Sequence, residues 1–154
     1  HCHLDHVCGP HFVAETYGVT PKMHKLDLPT LAMFDATCHA YGIHGAETPP
    51  DEVTLITEGE NVSFGKQTFD ILFAPGHAPG HVVFYHKEQG VVFSGDVLFR
   101  GSIGRTDLPG GDHNTLLEAI RNTMFSLPND TVVYSGHGPE TTIGFEKENN
   151  PFFQ

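Results

Sequence analysis

The stretch HCHLDH, residues 1–6, places His1, His3, Asp5 and His6 within one short segment. Imidazole and carboxylate groups are the side chains that hold borderline divalent cations. Their density here points to a metal centre and not to a polar surface loop. In an extended segment residues two apart share a face, so His1, His3 and Asp5 converge, and His6 needs a turn of the backbone. In a helix His1 and His3 would lie on roughly opposite sides. The segment is therefore expected to be a loop at a strand end, running into a helix that starts near Val7. Cys2 has the wrong phase for the His1/His3 face and is expected to pack against the strand end.

The chain holds 12 histidines, and further candidate ligands recur in one context. APGHAPGH carries His77 and His81 directly after the apolar run FDILFA. VVFSGD carries Asp96, and VVYSGHGP carries His137. Each time an apolar strand runs into a small residue or glycine and then into a ligand. Glycine lets the backbone turn sharply and come close to a buried ion. Ligands at strand ends suit a shared cleft at one edge of a sheet. His81 begins the next strand and is expected to be a core or supporting histidine.

The elements that position these residues are mixed. VCGPHFVAETYG reads as a short helix broken by Gly18, and PKMHKLD as an extended piece. Residues 28–42 have a helical apolar rhythm and a glycine stop. IHGAETPPDE reads as a loop. NVSFGKQTFDILFA reads as two strands around a turn at Gly65 and Lys66. HVVFYH and GVVFSGDVLF read as strands joined by a turn at Gln89 and Gly90. GSIGRTDLPGGD is a glycine-rich loop, and HNTLLEAIRNTMFSL a helix with Asp112 as N-cap. DTVVYSG is a strand, and TTIGFEKENN a helix ended by Pro151. The fold class is α/β or α+β, a sheet faced by helices.

Composition sets the outer bounds. At 154 residues and 38% hydrophobic content the chain reads as a single domain, 1–154, able to bury a core. Eight basic against 19 acidic residues give a net charge of −11, which disfavours nucleic acid as a partner. No apolar run is long enough for a transmembrane helix, so no membrane partner is expected. Cys2, Cys8 and Cys38 cannot all pair, so they are expected to be reduced and the protein cytoplasmic. Cys8 and Cys38 are expected to be buried thiols.

In order along the chain, HCHLDH, PGHAPGH, SGD and SGHGP resemble the metallo-β-lactamase superfamily, and within it the short glyoxalase II-like hydrolases. GSIGRTDLPGGDH and GHGPETTIGFEKENNPFF resemble its compact bacterial branch, which lacks an extra helical domain. The resemblance implies a four-layer αββα sandwich, with part of the first sheet missing ahead of His1. A sheet edge left bare in that way would invite a second copy of the chain. The resemblance also implies two divalent ions. His1, His3 and His77 match the ligands of one, Asp5, His6 and His137 those of the other, and Asp96 the bridging carboxylate. The imidazole and carboxylate set suits Zn²⁺ and tolerates iron or manganese.

Two ions of this kind lower the pKa of water to about 7 and hold hydroxide for attack on a carbonyl. Asp5 would be the catalytic residue that orients the hydroxide and takes its proton. The implied substrate is a small thioester such as an acylglutathione. Arg105 would hold a substrate carboxylate, or else pair with Asp107 or Asp112. Two other functions remain in view. One is a persulfide dioxygenase using a single iron, and the other a non-catalytic fragment or binding module. A β-lactamase fits less well, because Asp96 stands where lactamases of this fold carry other residues.

Overall fold

A computed structural model describes residues 1–154. The chain forms two compact units, His1–Ile56 and Thr57–Gln154. No helix is long and apolar enough to cross a membrane.

In the first unit the chain turns earlier than expected. His3 is extended and caps a short helix, α1 (Leu4–Val7), so Asp5 and His6 sit in a helical turn and not in a loop. Helix α2 (Pro10–Tyr17) starts on Pro10, whose missing N–H and fixed φ suit a first helical position. It ends at Gly18 with φ +61°, a left-handed cap that favours glycine. Strand β1 (Lys22–His24) leads through a 3₁₀ turn, Lys25–Asp27, into α3 (Leu28–Ala32) and α4 (Phe34–Ala40).

The single helix expected over 28–42 is thus two. The Met33 N–H bonds the Thr30 carbonyl, and this three-residue spacing tightens the turn and ends the α ladder. Strand β2 (Thr54–Ile56) pairs in parallel with β1, a three-residue partner too short to leave an alternating pattern. Cys2, Val7, Met23, Phe34 and Cys38 form the core of this unit. Cys8 is exposed, contrary to expectation, because Val7 takes the inward direction at the end of α1.

The second unit is built on a six-stranded sheet in the order β10-β9-β6-β5-β4-β3. Strands β3 (Asn61–Phe64) and β4 (Gln67–Phe73) form the expected hairpin, with Gly65 at φ +56°. Strands β5 (Val82–His86) and β6 (Val91–Gly95) continue it antiparallel. The strand expected through residue 99 breaks at Gly95, whose φ of +50° takes Asp96 out of the sheet. The hairpin β7 (Leu98–Phe99) and β8 (Ser102–Ile103) follows.

Helix α5 (His113–Asn122) begins where expected, with Asp112 Oδ1 accepting the Thr115 N–H at 2.7 Å. Strand β9 (Val132–Ser135) pairs in parallel with β6, and β10 (Thr141–Thr142) edges the sheet. Helix α6 (Ile143–Asn149) stops two residues before Pro151. One sheet face supplies Val83, Tyr85, Val92 and Val133 to a core shared with Leu116, Ile120, Met124 and Ile143.

This topology explains why distant residues meet. Strands β4 and β6 are each antiparallel to β5, so they run the same way, and β9 runs parallel to β6. The C-terminal ends of β4, β6 and β9 therefore lie at one edge of the sheet. His77, Asp96 and His137 all follow those ends.

Candidate metal centre

In the second unit each of these residues is held from behind. His77 leaves β4 through Gly76, whose φ is +121°. A Cβ at Gly76 would lie 2.3 Å from the Leu116 backbone nitrogen, so only glycine lets this loop press on α5. The His77 Nδ1 lies 2.7 Å from the Arg105 carbonyl oxygen. A carbonyl only accepts, so Nδ1 carries the proton and Nε2 carries the lone pair that a metal needs. That Nε2 is 3.6 Å from Asp96 Oδ2. The His137 Nε2 is 3.3 Å from the same oxygen. Two ligands at about 2.1 Å from one tetrahedral ion stand about 3.4 Å apart, so these spacings fit metal ligation by the donor set present.

His81 is the supporting histidine. It is buried, and its Nε2 accepts the Asp96 N–H at 3.1 Å while Nδ1 faces the Val82 carbonyl at 3.1 Å. It thus fixes the backbone of Asp96. Behind His137, the Gly136 N–H bonds the Gly95 carbonyl at 2.8 Å and ties the ends of β6 and β9 together. The Ser135 hydroxyl donates to the His137 carbonyl at 2.8 Å.

The first unit brings its own four candidates together. The His1 and His3 rings are 4.8 Å apart and nearly perpendicular, and the His1 and His6 rings are 4.0 Å apart. His6 Nε2 is 3.6 Å from Asp5 Oδ2. A residue missed from sequence holds this arrangement. Asp27 is buried, and its Oδ2 accepts the Cys2 N–H at 2.8 Å, pinning the backbone between His1 and His3. In the sequence, Asp27 ends the run PKMHKLD, read only as an extended piece, and nothing there marks it as buried. Cys2 points into the core, and burial, with the Asp27 carboxyl adding to it, pushes its thiol up to about 12. It stays a thiol at neutral pH, in keeping with an inert packing role.

Arg105 serves the site through its backbone. Its guanidinium is taken up by Asp107, with Nε to Oδ1 at 2.6 Å and a terminal nitrogen to Oδ2 at 2.7 Å. Hydrogen bonding from Arg105 lowers the Asp107 pKa to about 2. Because the folded value is depressed, this interaction is fully present above the ordinary 3.8 and is lost as pH falls through about 2. In a carboxyl-carbon NMR titration, Asp107 should show a midpoint near 2, and Arg105→Ala should return it toward 3.8. An unchanged midpoint in the variant would place the cause elsewhere.

The family model of the metallo-beta-lactamase superfamily matches residues 1–137. The hydroxyacylglutathione hydrolase GloC of Haemophilus influenzae is 40% identical over 159 aligned positions, covering 99% of this chain and 72% of that protein. The crystal structure of TTHA1623 in a di-iron-bound form superposes with a TM-score of 0.90 at 44% identity, over 99% of this chain and 74% of the other. The structure of BLEG-1 B3 metallo-beta-lactamase superposes at 0.89 with 40% identity, over 99% and 74%. The chain belongs to the metallo-beta-lactamase superfamily, as a metal-binding hydrolase of that fold.

Proposed function

We propose that the chain hydrolyses a small thioester of the acylglutathione type, with His1, His3, Asp5, His6, His77, Asp96 and His137 holding two divalent ions. The observation that carries the metal assignment is Asp96 Oδ2, set 3.6 Å from one imidazole nitrogen and 3.3 Å from another. A carboxylate oxygen flanked in this way suits a bridge. The substrate class is supported by the likeness to GloC.

When bound, the ions supply Lewis acidity and water acidic enough to react near neutral pH. The chain's residues supply the rest. His77 is held by the Arg105 carbonyl in the tautomer that offers Nε2. His81 fixes the Asp96 backbone. Asp5 is exposed, and its carboxylate is the base that accepts a proton from the attacking water. Arg105 is engaged by Asp107, so a substrate carboxylate reaching it would have to displace that pair. The donor set favours zinc, and the di-iron neighbour makes iron the alternative to measure.

Purified protein should therefore contain about two ions per chain. It should release thiol from S-lactoylglutathione without consuming oxygen. Oxygen uptake on glutathione persulfide, with a single iron per chain, would replace this function with that of a dioxygenase. A second reading rests on the likeness to BLEG-1, namely ring opening of a β-lactam. Turnover of a chromogenic cephalosporin faster than of the thioester would favour it.

A further inference from the structure

Glu146 and Asn150 are buried polar side chains that the proposed chemistry does not use. Both are fully buried. Glu146 Oε1 accepts the Thr141 hydroxyl at 2.5 Å, and Oε2 accepts the Gly101 N–H at 3.0 Å and the Asn150 amide at 2.7 Å. The Asn150 amide also donates to the Ser102 carbonyl at 3.0 Å, and its Oδ1 accepts the Phe152 N–H at 3.1 Å. Burying a carboxyl is unfavourable unless it is hydrogen-bonded, and an apolar side chain would occupy the same place without that requirement. The polar pair is thus explained by what it grips, which is the tip of the β7–β8 hairpin at Gly101 and Ser102.

That hairpin is the link between Asp96 and Arg105. From Ser102 the chain passes through Ile103 to Gly104, whose N–H bonds the Val97 carbonyl at 3.3 Å. A Cβ at Gly104 would lie 1.9 Å from the Asp96 carbonyl oxygen and 3.0 Å from His77 Nδ1. The strip is therefore pressed against both residues. One step on, the Arg105 carbonyl takes the His77 Nδ1 proton at 2.7 Å. Glu146 and Asn150 hold the far end of a strip whose near end sets the His77 ring.

We propose that Glu146 and Asn150 are positioning residues of the metal centre, acting through the Gly101–Arg105 strip to fix the tautomer and direction of His77. Its metal-affinity consequence rests on the function proposed above, whereas its effect on the His77 ring does not. Glu146→Leu removes both acceptor oxygens and frees the hairpin tip. Glu146→Gln keeps an oxygen for Gly101 and Asn150 and is the rescuing variant. Asn150→Ala releases the Ser102 carbonyl and serves where Glu146→Leu does not fold. Met124→Ala opens the same core without removing a hydrogen-bond partner of the hairpin tip and is the stability control.

The test is nitrogen-15 histidine NMR of the metal-free full chain, followed by titration with Zn²⁺ alone. Wild type should show a slowly exchanging His77 Nδ1 proton. Glu146→Leu and Asn150→Ala should lose that signal and bind Zn²⁺ about tenfold more weakly, the usual effect of removing an outer partner of a ligand. Glu146→Gln should restore both, and Met124→Ala should leave the His77 signal intact. A wild-type His77 signal in both disrupting variants, or its equal loss in Met124→Ala, overturns the proposal. A wild type that binds no Zn²⁺ overturns the function proposed above, while the His77 signal still decides this proposal.

Discussion

Asp96→Ala is expected to release metal from both positions and to lower turnover on the order of 10³-fold, equivalent to about 4 kcal/mol. The oxygen that approaches both His77 Nε2 and His137 Nε2 belongs to this one side chain. Without it, the two ions proposed above would lose the carboxylate assigned to bridge them, and their mutual repulsion would rise. Elemental analysis of dialysed protein gives the direct reading. His81→Ala is the companion variant. It removes the acceptor for the Asp96 N–H but no ligand atom, so it should retain both ions at saturating metal, with weaker affinity. Two ions retained in Asp96→Ala would show the bridge to be misplaced.

The second large effect should come from a single methyl group. At Gly104 the added carbon of Gly104→Ala would sit 1.9 Å from the Asp96 carbonyl oxygen, well inside van der Waals contact with rigid backbone. The strip must move away from Asp96, and the Arg105 carbonyl moves with it. A displacement of about 1 Å at a reacting centre costs on the order of 10²-fold in rate. Gly104→Ala should therefore lose at least that much turnover, with a clear drop in melting temperature. Wild-type turnover and metal content in this variant would mean that the strip has slack the structure does not show. Gly101→Ala is a useful contrast, since no atom lies near its added carbon, although its φ of +66° strains any side chain.

The gathering of three candidate ligands at one sheet edge was legible because their context repeats. His77, Asp96 and His137 each follow an apolar run and a small residue, and the sheet order turns that repetition into one edge. The dense opening stretch was legible by composition, but its shape was not. The α1 turn from Leu4 begins too early for a rule based on strand alternation, and it moves Asp5 and His6 into a helix. The break at Met33 was likewise hidden, since it lies in backbone hydrogen-bond spacing, and so was the exposure of Cys8, which depends on which neighbour turns inward. Arg105 was singled out for its guanidinium, yet its carbonyl acts on the site, and backbone groups leave no mark on residue type. Asp27, Glu146 and Asn150 were silent for a related reason. A buried carboxyl or amide reads in sequence as an ordinary surface residue until its donors are known.

The direction of the strands also divides the sheet by tolerance. The turns at Gly65–Lys66 and around Gly90 close the border opposite His77, Asp96 and His137. Extra residues, a dye or an affinity handle set into those turns would leave the reacting border as it is. Changes of a single atom behind His77 or Asp96 would not. Laboratory or natural diversification of this scaffold therefore has one permissive rim and one strict rim, and the strand order alone decides which is which.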